Sequence, residues 1–397
     1  LDHEMFKREP SYDLKKRDDE ISERLKKAKN RDFSKNEKIE YKPVTWCTSC
    51  LYPSVNAAPM AFDSNGVCLG WRMSSHKHEI SEEQWKLREK ELIEVLTQSR
   101  CPDGTRADCI IAVSGGKDSY FQTHYIKNVL GFEPLLVTYY GNNFSEVGER
   151  NLYRMKDVFE VDHIIYQPSV GTLKKLNLFG FIAIGDMNWH NHIGICSTPM
   201  SLAIKLGIPT VIWGEHGYAD LSGQFNLNDF IEWTYRNRLE HYCRGYDWNY
   251  ALDYLGLESR DLNPFKYPSD TDMYNLNLRG LHLSNYVRWE ANEHTKLMIE
   301  KYGFEVPNYS FDRTYRNMSN LDDIHENGVH DYMKWIKFGY GRCTDHATKD
   351  IRAGIFDREE GLRRIRHYDH VKPSDLTRWL KYVGITEEEF DNIADTF

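Results

Sequence analysis

The sequence predicts an α/β fold with a doubly wound parallel sheet, preceded by a small cysteine knuckle and followed by a mostly helical C-terminal part. Three observations support this prediction. Apolar strands alternate with helices from Asp108 onward, a glycine-rich turn joins the first strand to the first helix, and a Cys-x-x-Cys pair lies upstream at Cys47 and Cys50.

Composition and charge exclude several classes of protein. The 397 residues carry a net charge of -9, and a nucleic-acid partner is disfavoured because no basic stripe is evident. No apolar run approaches the roughly 20 residues that a membrane span needs. Eight cysteines in a chain of this length do not indicate a disulfide scaffold. We therefore expect a soluble cytoplasmic protein without a nucleic-acid or membrane partner.

The chain divides into four predicted regions. A charged N-terminal extension with too few apolar positions for a core covers residues 1–42. The cysteine knuckle covers 43–75, the α/β domain 76–220 and the mostly helical substrate or partner region 221–397. The α/β domain begins with a helix whose apolar residues recur at roughly helical spacing: Trp85, Leu87, Leu92, Ile93 and Leu96.

The α/β domain continues with alternating strands and helices. Strands are predicted at 109–113, 134–140, 163–167 and 209–214. Helices are predicted at 119–130, 148–159 and 197–207. In the first of these helices, Phe121, Tyr125 and Val129 repeat at i, i+4 and i+8, which predicts the face that packs on the sheet. The last strand is expected to complete the unit at about residue 220.

The turn after the first strand has the composition of a phosphate-binding loop. Ligands of open α/β sheets bind at the carboxyl ends of strands, and a helix N-terminus favours anions. The two glycines let the backbone wrap a phosphate, the serine hydroxyls donate hydrogen bonds and the lysine adds positive charge. The turn is neither the eight-residue nucleotide loop nor the dinucleotide fingerprint. It consists of Ser114, Gly115, Gly116, Lys117, Asp118 and Ser119.

This hexapeptide after an apolar strand resembles the pyrophosphatase loop (PP-loop) of the ATP-pyrophosphatase superfamily, which includes synthetases of GMP, NAD and asparagine and tRNA thiolases. The resemblance implies an adenine-nucleotide α-hydrolase-like fold. It also implies that the loop binds ATP and releases pyrophosphate when a substrate oxygen attacks the α-phosphorus, with Asp118 positioning Mg²⁺.

From about residue 43 to the C-terminus, further segments resemble bacterial N-acetyl sugar amidotransferases of surface-glycan biosynthesis. This family adenylates an acetamido group of a sugar and replaces its oxygen with ammonia to give an acetamidino group. The resemblance implies a nucleotide sugar or a nonulosonic acid as substrate, and a glutaminase subunit or free ammonia as nitrogen source. The segments are WCTSCLYPSVNAAPMAFDSNGVC, LLVTYYGNNFSEVGERNL, IPTVIWGEHG, LSNYVRWEANEHTKLMIEKYGFE and FGYGRCTDHATKDIRAGIFDREEGL.

The resemblance and the strand ends give further candidate site residues. Lys117, Asp118 and Glu215 are the catalytic candidates, with Glu215 as a second carboxylate for Mg²⁺ or for proton transfer, unless it is a helix cap or a surface residue. Asn142 and Asn143 are candidates for ATP or substrate binding. Substrate candidates are Asn188, His190, His192, His216, Arg342, Asp345 and His346. The same polar segments contain Asp186, Trp189, Asn191, Asn292, Glu293 and His294.

The cysteine knuckle lacks one expected ligand. Cys47, Cys50 and Cys68 follow the spacing of a four-cysteine zinc knuckle, but the fourth position of the family pattern is Trp71. Tetrahedral structural zinc takes four protein ligands. The sequence therefore leaves two alternatives, either zinc closed by a substitute ligand such as His76 or His78, or a metal-free remnant packed by Trp71. His190 and His192 are a weaker candidate metal pair.

Two other functions remain open from the sequence. A tRNA-modifying PP-loop enzyme such as a thiolase fits the loop, the Cys-x-x-Cys pair and Cys196 as a catalytic cysteine, although a buried structural cysteine fits Cys196 at least as well. The charge of -9 argues against it. A non-catalytic nucleotide-binding partner of a glycan assembly complex fits the altered knuckle, but the intact lysine, aspartate and serines of the loop argue against it.

Overall fold

The computed structural model describes residues 14–30, 43–56, 60–141, 144–319, 321 and 326–397. Asn142 and Asn143, the candidates for ATP or substrate binding, lie outside the described residues, as does most of the predicted N-terminal extension.

A parallel sheet of five strands forms the centre of the fold. The strands are β1 (Cys109–Ala112), β2 (Pro134–Tyr139), β3 (His163–Tyr166), β4 (Thr210–Trp213) and β5 (Arg279–His282). Their order is β3-β2-β1-β4-β5, and every neighbouring pair is parallel. The predicted α/β class with a parallel sheet is therefore confirmed, and the four predicted strands are present with slightly shorter bounds.

Helices surround the sheet and form the C-terminal part. Up to β4 they are α1 (Leu14–Lys29), α2 (Leu69–His78), α3 (Glu82–Ser99), α4 (Lys117–Thr123), α5 (Glu146–Phe159), α6 (Val170–Ile184) and α7 (Trp189–Leu206). After β4 they are α8 (Tyr235–Asn237), α9 (Asp270–Leu276), α10 (Ala291–Tyr302), α11 (Asn327–Phe338), α12 (Arg342–Arg352), α13 (Arg358–Tyr368), α14 (Leu376–Val383) and α15 (Glu387–Ala394).

Side chains pack on both faces of the sheet. Successive residues of a strand point to opposite faces, so neighbouring residues of β1 belong to different cores. Ile110 packs on one face with Met200 of α7. Ile111 packs on the other face with Leu92 of α3 and Met155 of α5. A separate core joins α6 to the C-terminal helices α14 and α15. β1, β2 and β4 are thus buried on both sides, as is typical of parallel strands, whereas the edge strand β3 exposes Ile164 and Tyr166.

The fifth strand corrects the predicted end of the sheet. β5 pairs with β4 through Leu281 opposite Ile212, although the unit was expected to end at about residue 220. Its sequence Arg-Gly-Leu-His has no apolar run, so its strand state depends on tertiary pairing with β4. The segment between residues 224 and 256, predicted to be mostly helical, consists largely of loops and short helical turns.

Two predicted packing faces also differ from the structure. Val129 is exposed rather than packed on the sheet, because α4 continues as a π-helical segment (His124–Val129) whose wider turns rotate the following side chains. The amide of Leu130 accordingly bonds to the carbonyl of Tyr125, five residues back. On α3, Leu87 and Ile93 are exposed, while Leu92 is fully buried.

Among the residues that the structure describes, no helix is long and apolar enough to cross a membrane.

The fifth strand generates a test of stability. We expect Leu281→Ala to destabilise the protein by roughly 2–5 kcal/mol, because it deletes a fully buried side chain from the sheet core. Leu87→Ala is the matched control, since Leu87 is 62% exposed, and should change stability by less than about 0.5 kcal/mol. Denaturant unfolding of both variants measures the difference. Equal effects of the two substitutions would contradict the placement of β5.

Candidate active site at the carboxyl edge of the sheet

The glycine loop lies between β1 and α4 at the carboxyl edge of the sheet. Gly115 has a φ of +76°, and a Cβ atom added there would lie 2.7 Å from the Cα of Leu152. Only glycine satisfies both constraints without strain. Gly116 is the N-cap residue of α4, so the free amides of the first helical turn face the loop. The sequence therefore fixes a compact turn with amide donors at its tip.

Internal hydrogen bonds hold the loop in this shape. The amide of Ser114 donates to the Oγ of Ser119 at 2.8 Å. The Nζ of Lys117 lies 2.5 Å from the Oδ2 of Asp118. The Oδ1 of Asp118 is buried and has no hydrogen-bond partner among the described residues. A buried carboxylate oxygen without a partner is costly, so this atom is available to a cation or to a hydrogen-bond donor of a ligand.

An ion pair connects the end of β4 to α12. Glu215 lies two residues after the end of β4, and both of its carboxylate oxygens lie 2.7 Å from the Nζ of Lys349. Burial would raise the pKa of Glu215, but the charge and hydrogen bonds of Lys349, with further help from Lys117, lower it to about 2. Glu215 is therefore ionised at neutral pH, and Lys117 of the glycine loop is one of the positive charges that stabilise its ionised form.

One face of α12 contributes several of the predicted substrate residues. Arg342 pairs with Asp331 at 3.1 Å, and its guanidinium lies 3.9 Å from Asp345. Asp345 also pairs closely with Lys334. These contacts show that Arg342 and Asp345 belong to one network of alternating charges on the side of α12 that carries Lys349.

His346 lies on the same helix and is held neutral. Its Nδ1 is 2.6 Å from the Oγ1 of Thr314. Burial and neighbouring positive charges, among them Lys349 and Lys117, hold the pKa of His346 well below its usual range. A neutral imidazole can donate or accept a hydrogen bond without adding charge to the site.

The residues at the start of α10 lie near Glu215 and near the helix that follows the glycine loop. Asn292 and Glu293 line a cavity of about 220 Å³ together with Glu215 and Lys349. His294 stacks on Phe121 of α4 with ring centroids 3.4 Å apart. Burial lowers the pKa of His294 to about 4 despite the opposing charge of Asp118. The predicted residues of α10 thus lie between the glycine loop and the cavity.

The predicted residues around α7 form a second polar cluster. Asp186 is almost fully buried, accepts a hydrogen bond from His330 at 2.9 Å and pairs with Arg244 at 2.8 Å. His192 lies 3.6 Å from the same carboxylate. Burial alone would raise the pKa of Asp186, but Arg244 and His330 hold it well below its usual range. Asp186 is therefore a permanent negative charge that orients three cationic or polar side chains.

Other polar residues of this segment form hydrogen bonds inside the protein. His190 is fully buried, and its ring nitrogens contact the hydroxyl of Tyr139 and the amide of Asn177, each at 3.0 Å. The amide of Asn191 donates to Asn188 at 2.8 Å, and the indole of Trp189 donates to a backbone carbonyl. Both ring nitrogens of His190 thus have protein partners.

His216 and Cys196 are also buried. The Nδ1 of His216 accepts a hydrogen bond from the amide of Ala219, and burial lowers the pKa of this imidazole to about 4. The thiol of Cys196 donates to the carbonyl of His192 at 3.0 Å. Burial raises the pKa of Cys196 well above its usual range, so this cysteine is a poor nucleophile.

The three knuckle cysteines meet as the spacing predicted. The sulfurs of Cys47, Cys50 and Cys68 all lie within 4.8 Å of one another in a buried cluster that can hold a metal ion. Within the described part of the chain this is the only such group of metal-ligating side chains, so neither His76 nor His78 joins it, and His190 and His192 form no metal site of this kind. Trp71 packs against the knuckle.

Lys349 is the main site residue that sequence reasoning missed. It lies in a segment that was recognised as polar, and a signal was present, because Arg342, Asp345, His346 and Lys349 recur at i, i+3, i+4 and i+7. Arg244 and His330, which contact Asp186, carried no comparable signal since their partner is distant in sequence.

A larger cavity lies elsewhere. It measures about 550 Å³ and is lined by residues that precede the strands, including Ala107, Glu133 and Asp162. These residues mark the amino edge of the sheet, whereas ligands of open α/β sheets bind at the carboxyl edge. We therefore place the candidate active site at the smaller cavity beside Glu215.

Comparison with known proteins supports a role in glycan biosynthesis for the C-terminal part. The family model described as "LPS biosynthesis protein WbpG-like, C-terminal domain" matches residues 284–397. The matched segment contains α10 and α12 and therefore Lys349, the partner of Glu215. The match supports a glycan-biosynthesis family. No curated protein matches the chain at a significant level.

The ion pair generates a pH-dependent prediction. The folded pKa of Glu215 lies below its ordinary value of 4.5, so its stabilisation is present above that value and is lost as the pH falls toward about 2. Lys349→Met leaves Glu215 partly buried and unpaired, which raises its pKa. We expect a stability deficit of roughly 1.5–3 kcal/mol near pH 7 that shrinks toward about pH 5, because protonation neutralises the unpaired carboxylate.

Denaturant unfolding of Lys349→Met across this pH range measures the deficit relative to the unsubstituted protein. The double variant Glu215→Gln, Lys349→Met is the control, and its deficit should not depend on pH in that range. A deficit of the single variant that is equally independent of pH would contradict the pairing.

Proposed function

We propose that the protein is an ATP-dependent, AMP-forming amidotransferase that converts the acetamido group of an N-acetyl sugar into an acetamidino group in lipopolysaccharide or related surface-glycan biosynthesis. One observation carries the proposal. The helix α12, which lies inside the segment matching an LPS biosynthesis domain, is held by the Glu215–Lys349 ion pair at the edge of the sheet where the phosphate-type loop follows the neighbouring strand β1.

The chemistry explains why ATP is needed. An amide carbon is a poor electrophile and its oxygen a poor leaving group. In the proposed reaction the amide oxygen attacks the α-phosphorus of ATP, the bond to the β-phosphate breaks, and pyrophosphate leaves. Ammonia then adds to the carbon of the adenylated imidate, and the carbon-oxygen bond breaks to release AMP and the amidine.

The loop residues have roles in the first step. The amides around Gly115 and Gly116 bind phosphate oxygens, and Lys117 balances the negative charge that develops on the leaving pyrophosphate. The Oγ of Ser119 keeps the loop in shape by accepting a hydrogen bond from the backbone amide of Ser114. These are positioning and electrostatic roles, which suit a group transfer with little covalent chemistry for the protein.

The carboxylates suit a cation better than a proton. The buried, unpartnered Oδ1 of Asp118 and the ionised Glu215 are oxygen ligands of the type that Mg²⁺ prefers. Bound Mg²⁺ would supply charge neutralisation on the phosphates. A carboxylate with a pKa of about 2 is a weak base, so we assign Glu215 to cation binding and positioning rather than to proton transfer from ammonia.

The sugar would bind beside α12 and the cluster around Asp186. His192 and Arg342 each expose about a quarter of their side chains (both 28%) and can contact a ligand. Arg342 and Arg244 suit the phosphates of a nucleotide sugar or the carboxylate of a nonulosonic acid. His190, Asn188 and His216 are buried and would support the pocket from behind. Ammonia would come from a glutaminase subunit or from solution.

The geometry gives less support to the thiolase alternative. That reaction needs a reactive cysteine near the nucleotide, and Cys196 is fully buried with a raised pKa.

The reaction type predicts the products and their dependence on one lysine. With Mg²⁺, an ammonium salt and a panel of nucleotide-activated N-acetyl sugars and N-acetylated nonulosonic acids, we expect AMP and pyrophosphate in equal amounts. Lys117→Ala should lower the rate by at least about 100-fold, because it removes charge stabilisation of the leaving group. Chromatographic separation of AMP and ADP, with a coupled pyrophosphate assay, measures both effects.

Lys127→Ala is the matched control and should keep the full rate, since Lys127 lies in the π-helical segment that follows α4 and pairs with the exposed Glu133. Stoichiometric release of ADP would exclude the proposed reaction. A fully active Lys117→Ala variant would exclude the assigned role of the loop.

A further inference from the structure

The knuckle sulfurs have the geometry of a zinc site. Cys47, Cys50 and Cys68 are fully buried, and the sulfurs of Cys50 and Cys68 are 3.5 Å apart. Tetrahedral zinc with bonds of about 2.3 Å to sulfur places neighbouring sulfurs about 3.8 Å apart. The separations in this cluster, all within 4.8 Å, therefore fit three ligands of one ion.

Backbone amides point at the sulfurs. The Sγ of Cys47 accepts from the amides of Ser49 and Cys50 at 3.4 Å and from that of Cys68 at 3.3 Å. The amide of Trp71 donates to the Sγ of Cys68 at 3.3 Å. Hydrogen bonds of this kind stabilise the thiolate over the thiol, which is the form that binds a metal.

A positively charged side chain lies beside the cysteine cluster. The Nη2 of Arg352, the last residue of α12, lies 3.4 Å from the Sγ of Cys68. The Nη1 of Arg352 donates to the carbonyls of Asp220 and Leu221, each at 2.9 Å. These bonds fix the guanidinium in place. Among the described residues, no carboxylate forms an ion pair with Arg352, and the acidic group in contact with its guanidinium is the thiol of Cys68.

The charges support a metal with three thiolates. Three thiolates and one divalent ion carry a net charge of -1, which Arg352 cancels. A fourth thiolate would bring the net charge of the metal group to -2, which the single positive charge of Arg352 would not neutralise. A metal-free cluster of neutral thiols would leave Arg352 without an anion in a partly buried position, which is unfavourable.

We propose that Cys47, Cys50 and Cys68 bind one zinc ion, whose fourth coordination position is taken by water or another exogenous ligand, and that Arg352 is its outer-sphere partner, which neutralises the net charge of the three-thiolate site. The metal would thereby anchor α12. A second contact supports this coupling, because the Oγ1 of Thr348 on α12 donates to the carbonyl of Cys50 at 2.9 Å. The proposal is independent of the reaction assigned to the site.

Zinc affinity tests the role of Arg352. Protein purified without chelator should contain about one zinc per chain by plasma mass spectrometry, and a colorimetric chelator should compete for it. We expect Arg352→Met to weaken zinc binding about 10–100-fold, the usual effect of removing an outer-shell partner. Arg358→Met is the matched control, because Arg358 contacts the same knuckle only through the carbonyl of Cys47 at 3.4 Å, and its affinity should be unchanged.

Two results would overturn the proposal. The first is less than about 0.2 zinc per chain in the unsubstituted protein, and the second is an equal affinity of the Arg352→Met and Arg358→Met variants. Should Arg352→Met fail to fold, Arg352→Lys replaces it. Lysine keeps the charge, so affinity within about tenfold of the unsubstituted protein supports the electrostatic role, and a larger loss contradicts it.

Hydrogen exchange provides a readout that does not involve activity. Removal of zinc by chelator should speed amide exchange in α12, because its anchor is lost, and should leave α15 unchanged, since α15 packs in a separate core with Phe181. Unchanged exchange in α12 after complete removal of zinc would contradict the coupling.

Discussion

The ion pair between Glu215 and Lys349 connects the two parts of the protein at the functional edge. Glu215 belongs to the carboxyl end of β4, and Lys349 belongs to α12 in the C-terminal part. Because all strands of the sheet are parallel, the loops after β1 and β4 leave it at the same edge. The pair therefore places α12, with Arg342 and His346, opposite the glycine loop. The stacking of His294 on Phe121 is a second contact between the helix that follows the loop and the matched C-terminal segment.

The sequence predicts an element of the central fold correctly where the residues of that element alone specify its structure. β1, β2 and β4 are apolar runs, and the turn from Ser114 to Ser119 is specified by adjacent residues, with Gly115 in a conformation that only glycine adopts easily. β5 could not be predicted, because Leu281 becomes a strand residue only by pairing with β4. Val129 was misplaced since a π-helical turn changes the helical phase, which a regular period cannot anticipate.

The sequence indicates which polar segments are candidates for the site, but it does not show how their side chains are arranged. The polar residues near His190 were predicted to bind substrate, but their spacing does not show that His190 faces the interior while His192 stays partly exposed. Lys349 and Arg352 act on partners more than 100 residues away in sequence, so their roles follow only from the fold. The knuckle shows the same limit, because Trp71 occupies the fourth position in sequence, while the contact of Arg352 with Cys68 is visible only in the fold.

The most direct test of the account is amide hydrogen exchange with and without a non-hydrolysable ATP analogue and Mg²⁺. We expect slower exchange in residues 114–119 and, at the same time, in α12, because a nucleotide at the carboxyl edge contacts the loop and restrains the helix paired to Glu215. Protection confined to the cavity at the amino edge near Ala107, or no protection of the loop at saturating analogue, would contradict it.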